Sequence, residues 1–141
     1  MRLDYKCIVL SLLITMEVKT DTKEKFTVIR VQTHELSATM AADLNAQFEE
    51  LRKGTTGNIV LNLAGVKNIS EDGAEVLVRT QQNFYEAGAS FVVCELTDEV
   101  EAFLDSNDLL ELMNVTPTES EAYDIVQMEE IERELLGDED E

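Results

Sequence analysis

The sequence holds one histidine, one proline, two cysteines and only eleven basic residues, and each scarcity removes a class of function. Cys7 and Cys94 form no Cys-x-x-Cys pair and have no histidine nearby, so neither a disulfide framework nor a zinc site is expected. Cys94 lies in an apolar run and reads as a small buried hydrophobe, a usage that suits a reducing, cytoplasmic setting. His34 stands alone before the first expected helix, a loop position with no catalytic or metal role. The six glycines are scattered and match neither a dinucleotide-binding nor a P-loop spacing, so no cofactor is implied. Eleven Lys and Arg against 30 Asp and Glu give a formal charge of -19. Nucleic-acid binding needs clustered cations to replace phosphate counterions, and an anionic membrane would repel such a chain. A protein partner with a basic face is the better match.

What is present is enough for one folded domain. At 141 residues the chain can bury a core, and 44% apolar with 29% charged residues is ordinary for a globular protein. The run Cys7-Ile-Val-Leu-Ser-Leu-Leu-Ile14 is too short to span a bilayer, which takes about 20 residues. Its length suits a signal-peptide core, yet Thr15, Met16, Glu17, Val18 and Lys19 provide no small-residue cleavage site. Met16 opens a stretch that reads as a natural domain start, so residues 1–15 are expected to be an extension outside the fold, consistent with a start codon assigned too far upstream. The domain is expected over 16–136 and an acidic tail over 137–141.

Along that domain the apolar period switches repeatedly between two and 3.6. Residues 25–32 are rich in β-branched side chains, and residues 17–21 can pair with them as a hairpin across the polar turn Asp21 to Glu24. Ser37 is a candidate N-cap for a helix over about 38–53, with Ala41, Leu44, Phe48 and Leu51 on one face and Gly54 as its stop. Residues 58–63 read as a strand covered on both faces. A polar loop, Lys67 to Gly73, leads to a second helical stripe of Ala74, Leu77, Val78, Phe84 and Tyr85, capped by Ser70 or Asp72 and closed by Gly88. Residues 89–96 form another buried strand, and Thr97, Asp98 and Glu99 open a short helix that turns Val100, Phe103 and Leu104 inward. Leu112, Met113 and Val115 suggest a last strand. After Pro117, the run Thr118-Glu-Ser-Glu121 is a capping box for a final helix. That helix should carry Ala122, Ile125, Met128 and Leu135 as apolar positions, Glu129, Glu130, Glu132 and Glu134 on its solvent face, and Gly137 as its stop. The order β-β-α-β-α-β-α-β-α predicts an α/β fold: a mixed sheet of four to five strands with about four helices.

Catalytic chemistry finds little to stand on. Glu71 and Asp72 are adjacent acids before a helix, where an acid/base pair or a magnesium site is conceivable. Adjacent acids seldom converge on one ligand, and a helix start favours acids in any case. A binding protein, and not an enzyme, is the expectation.

Three segments together resemble a known family: Ile59-Val-Leu-Asn-Leu63, the loop Asn68-Ile-Ser-Glu-Asp-Gly73 leading into a helix, and Ala89-Ser-Phe-Val-Val-Cys94 followed by Thr97. In order and spacing they resemble the STAS domain of sulfate transporters and anti-sigma factor antagonists. The stretch from Asn114 through Glu121-Ala-Tyr-Asp-Ile-Val126 to Leu135 is similar to free-standing bacterial members with an extended last helix. The resemblance implies a single STAS-like domain acting in transcription regulation by partner switching. In the family, a loop of the type Asp-Ser-Ser/Thr-Gly precedes the second helix. An anti-sigma factor with a serine-kinase fold binds that loop and phosphorylates its first hydroxyl residue; phosphorylation ends the complex.

This chain departs from the pattern at that loop. Alignment on Leu61-Asn-Leu63 and Gly73 puts Ser70 at the family's Asp, Glu71 at the phosphoacceptor and Asp72 at the second hydroxyl. A glutamate carries one negative charge where phosphoserine carries about 1.5 to 2, so Glu71 mimics the modified state in part. Ser37 stands where the family often has an Asp. Two consequences compete: a constitutive binder that escapes kinase control, or a form locked in the released state that serves another partner. Ser70 is an alternative phosphoacceptor in a shifted register, beside its plainer role as a helix cap. The expected docking surface is Ser37, Ser70, Glu71, Asp72 and Gly73 with the helix face Glu75, Arg79 and Gln82. The rival reading is a non-phosphorylatable scaffold or homodimeric subunit of a sensory assembly.

Overall fold

The computed structural model describes residues 18–23, 25–53 and 57–139, with side chains as far as Leu136. The expected extension 1–15, Cys7, Met16 and the helix stop at Gly54 lie outside the described residues.

The β-branched N-terminal segments pair as the expected antiparallel hairpin of β1 (Val18–Thr22) and β2 (Thr27–Val31), closed by a 2.8 Å bond from the Lys23 amide to the Phe26 carbonyl. The apolar runs become β4 (Ile59–Asn62) and β6 (Phe91–Cys94), which join β2 in parallel, and β7 (Val115–Thr116) adds a last parallel strand. The mixed sheet runs β1-β2-β4-β6-β7. Every residue of β4 and β6 is buried, as expected for central strands covered on both faces.

The helices fill the connections. α1 (Ala38–Arg52), α2 (Glu71–Glu86) and α3 (Asp98–Ser106) start at Ser37, Ser70 and Thr97, whose side-chain oxygens accept from the amides of Met40, Gly73 and Val100. Gly88 closes the turn after α2 at φ +75°, a left-handed conformation that glycine adopts at little cost. On one side of the sheet Ile29, Ile59, Leu61, Phe91 and Val93 pack with Leu44, Phe48, Leu77 and Phe84. On the other, Val28, Val60, Val92 and Cys94 meet Phe26, Ala122 and Val126 under a single helix, α4 (Glu119–Glu139). The alternation of Phe91 and Val93 against Val92 and Cys94 follows from the two-residue period of a strand.

Four expectations are corrected. The loop Lys67 to Gly73 contains a strand, β5 (Asn68–Ile69), paired in parallel with β3 (Glu35–Leu36); two-residue strands leave no periodicity to read. Leu112 belongs to a 3-10 turn, Leu110–Leu112, and is exposed, so only Val115 of the expected strand residues joins the sheet. On α4, Ala122 is buried as expected and Val126 joins it, whereas Met128 and Leu135 face solvent. Gly137 does not stop α4, which continues to Glu139; a glycine in αR costs a helix only about 1 kcal/mol, and only a left-handed glycine ends one.

Candidate functional site

The predicted residues gather at one corner because of the β3 and β5 pairing. Glu35 aligns with Asn68 and Leu36 with Ile69, and the Ser70 amide donates to the Leu36 carbonyl at 3.1 Å. The next residue on each chain is a helix cap. Ser37 Oγ accepts from the Met40 amide at 3.3 Å, and Ser70 Oγ from the Gly73 amide at 2.9 Å. The N-termini of α1 and α2 therefore lie side by side, each with the partial positive charge of a helix start. Glu71 and Asp72 occupy the first turn of α2 and are exposed, where the helix dipole favours them.

At Gly73 the first turn of α2 lies against the backbone that leads into α1. A Cβ there would sit 2.9 Å from Ser70 Oγ, 3.0 Å from the Leu36 carbonyl and 3.3 Å from that of Ser37. Glycine is thus required by the approach of the β3 backbone and not by a tight turn, because Gly73 lies inside the helix and has no left-handed φ. Ser70, not Asp72, is the cap. Glu75, Arg79 and Gln82 follow Glu71 down an exposed face of α2, with Gln82 donating to Glu86 at 3.2 Å.

The strongest electrostatics lie elsewhere, at residues that carry no local signal. At the start of α4, Arg30 holds Glu119 through two 2.8 Å bonds, and Asn62 and Tyr123 donate to the same carboxylate at 2.6 and 2.7 Å. The Arg30 bonds hold the Glu119 carboxyl down at about 2, with the Tyr123 and Asn62 bonds adding to the effect against burial. Burial and that carboxylate push the Tyr123 hydroxyl up to about 12. Burial, with Glu119 and Glu95 nearby, pushes the Cys94 thiol up to about 12, so Cys94 is a structural hydrophobe. Glu95 takes a left-handed φ of 56°, and its carboxylate accepts from the Glu119 amide at 3.3 Å. The Thr118 hydroxyl caps the same helix, accepting from the Glu121 amide at 3.2 Å.

A second polar lock ties the middle of α4 to the other end of the sheet. Asn58 donates to Glu130 and to the Lys25 carbonyl, and its own oxygen accepts from the Ser90 amide at 2.8 Å. Ser90 donates to Glu129, Asn114 donates to Glu129, and Arg133 reaches Ser90 and Glu130 at 3.2 Å each. The Asn58 bond and Arg133 keep the Glu130 carboxyl below its usual range. Glu129 and Glu130 thus turn towards the sheet and leave the expected solvent face. Nothing local marks either cluster, since Arg30 and Glu119 are 89 residues apart and Asn58 and Glu130 are 72 apart. A cleft of about 500 Å³ lies at this end, between Tyr85 in the last turn of α2, Gly88 and Ala89 on one side and Glu129, Arg133 and Leu136 of α4 on the other. It is a helix length away from Ser70.

Among the described residues no three metal-ligating side chains converge, and no helix is long and apolar enough to cross a membrane. The STAS domain profile matches residues 17–122, well over half of the chain. The chain belongs to the STAS domain family. The fold agrees with that assignment. An anti-sigma factor antagonist from Mycobacterium paratuberculosis superposes with a TM-score of 0.66 at 17% identity, covering 79% of this chain and 94% of that one. The Bacillus anti-sigma factor antagonist SpoIIAA, in its unphosphorylated form, gives 0.64 at 17% identity over 79% and 96%. The murine anion transporter Slc26a9 gives 0.63 at 13% identity, covering 86% of this STAS chain but 24% of the transporter. No curated protein sequence matches.

Proposed function

We propose that this STAS protein is a binding module of the anti-sigma factor antagonist type. Its docking surface would be the corner of Ser37, Ser70, Glu71, Asp72 and Gly73, continued by Glu75, Arg79 and Gln82. The supporting observation is the juxtaposition of two capped helix starts with two exposed carboxylates between them and solvent. Neither carboxylate has a described ion-pair partner, so both are available to cations of another protein. The partner that fits is an anti-sigma factor with a serine-kinase fold and basic residues beside its nucleotide pocket.

Glu71 takes the phosphoacceptor position, so the interaction runs without phosphate at that residue. Ser70 is a poor acceptor in turn. Its Oγ is held 2.9 Å from the Gly73 amide, and phosphoryl transfer to it would first have to release that bond. The test is affinity capture from native extract with the wild-type chain and with Glu71→Ala/Asp72→Ala. Recovery of a serine-kinase-fold protein by the wild type, at least about tenfold reduced in the double variant, is expected. Equal recovery by both overturns the docking surface, and recovery of only copies of the chain itself assigns it a homodimeric scaffold role. With the captured partner and ATP, no phosphate should transfer to position 71; stoichiometric labelling of Ser70 would overturn phosphate-independent binding.

A further inference from the structure

The last helix carries two apolar faces, and the domain uses one. α4 packs on the sheet through Ala122 and Val126, and Glu129, Glu130 and Arg133 on the same side make the polar lock. Met128, Ile131 and Leu135 lie nearly opposite that face, and 54%, 54% and 60% of each is exposed. Their spacing of three and then four residues is that of the contact seam between two paired helices. Large side chains left bare in register on a folded helix mark a surface for another polypeptide.

The flanks of the seam say what kind. With Met128, Ile131 and Leu135 as the core of a helix pair, Glu132 and Glu134 fall at the positions that face a partner helix across the seam, together with Gln127. A second copy of this chain would set glutamates against glutamates, at a formal charge of -19 per chain. The chain's own apolar run, residues 7–14, precedes Val18 in sequence, and Val18 aligns with Val31 at the end of the sheet remote from Asn58 and Ser90, where α4 leaves it. Val18 also lies on the outermost strand of the sheet.

We infer that the outer seam of α4, Met128, Ile131 and Leu135, docks a basic amphipathic helix of a partner protein, with Lys or Arg opposite Glu132 and Glu134. This surface is separate from the Ser70 corner, and the inference does not depend on the function proposed for that corner.

The probe is a synthetic helix matching the 21-residue length of α4, with leucines at seam spacing and lysines at both flanks. Fluorescence anisotropy with the full chain should show it binding at least about tenfold tighter than a scrambled peptide of the same composition, and tighter by a similar factor than one with glutamates at the flanks. Met128→Ser/Ile131→Ser/Leu135→Ser should lose about tenfold, Leu112→Ser at an exposed leucine elsewhere should lose nothing, and Glu132→Lys/Glu134→Lys should invert the preference between the lysine and glutamate peptides. All six substituted residues are exposed, and unchanged urea midpoints will show that the variants fold. Equal binding of the scrambled peptide, or an unaffected triple variant, overturns the inference. So does self-association of the wild type abolished by the triple variant, which makes a second copy the occupant. Binding that rises about tenfold on deleting residues 2–15 also overturns it, by assigning the seam to the chain's own N-terminal run.

Discussion

The two faces of the sheet are built by different physics. Under α1, α2 and α3 the contact is large and apolar: Phe48 and Phe84 converge on Phe91 with ring centroids 5.2 and 5.4 Å away, among leucines and isoleucines. Under α4 the apolar contact is a thin strip of valines, Cys94, Phe26 and Ala122, with a polar lock at each end. Area burial needs only bulk and shape and works at any pH. Hydrogen-bonded carboxylates need partners in place and the right protonation state. The helix on the polar side is therefore the element whose attachment can be weakened selectively.

The largest effect should come from the apolar face. Phe91→Ala removes the ring between Phe48 and Phe84 and should cost about 3–5 kcal/mol in urea unfolding, where Val126→Ala under α4 should cost about 2. Comparable losses would erase the distinction between the faces. Next is the polar lock itself. Glu119→Gln should cost about 2 kcal/mol at neutral pH, a figure kept below the full worth of its bonds because Arg30 is 36% exposed and screened by water. The folded carboxyl titrates at about 2 and the unfolded one near 4.5, so its stabilisation is complete above 4.5 and fades as pH falls towards 2. Urea midpoints followed from pH 5 to pH 2 should therefore fall more steeply in the wild type than in the variant; parallel curves would show that the Arg30 pair contributes nothing.

Two smaller effects sharpen a second contrast, between carboxylates with partners and those without. Gly73→Ala should destabilise by about 1–2 kcal/mol despite alanine's better helix propensity, because the added methyl meets the Leu36 and Ser37 carbonyls. An unchanged urea midpoint would show that the backbone at Leu36 and Ser37 gives way freely. Glu71→Ala and Asp72→Ala should each change stability by no more than about 0.5 kcal/mol, since both side chains are exposed and without a described partner. Either costing as much as Glu119→Gln would mean that the corner is a structural lock and not a free surface.

Much of the fold was legible before the structure. Ser37, Ser70, Thr97 and Thr118 are caps because a hydroxyl next to a helical stripe satisfies amides that the helix cannot, and that is a local event. Ile59 to Leu61 and Phe91 to Val93 reveal central strands because burial on both faces removes all polar alternation. For the candidate site, the residues were legible but their meeting was not. Glu35–Leu36 and Asn68–Ile69 are too short to carry a period, yet their pairing sets Ser37 beside Ser70. The α4 stripe misled for a related reason. Periodicity reports that a helix has an apolar face, and α4 has two, so Met128 and Leu135 read as core while Val126 took that place.

The sequence by itself determined the helices, the longer strands and their order, the capped helix starts and the family, because each rests on residues within a few positions of one another or on the spacing of short motifs. Only the tertiary structure decided that Arg30, Asn62 and Tyr123 would converge on Glu119, that Asn58 and Ser90 would draw Glu129 and Glu130 inward, and which side of α4 would be left bare. Those outcomes depend on where segments 39 to 89 residues apart come to rest, and a carboxylate in a sequence looks the same whether it will face water or an arginine.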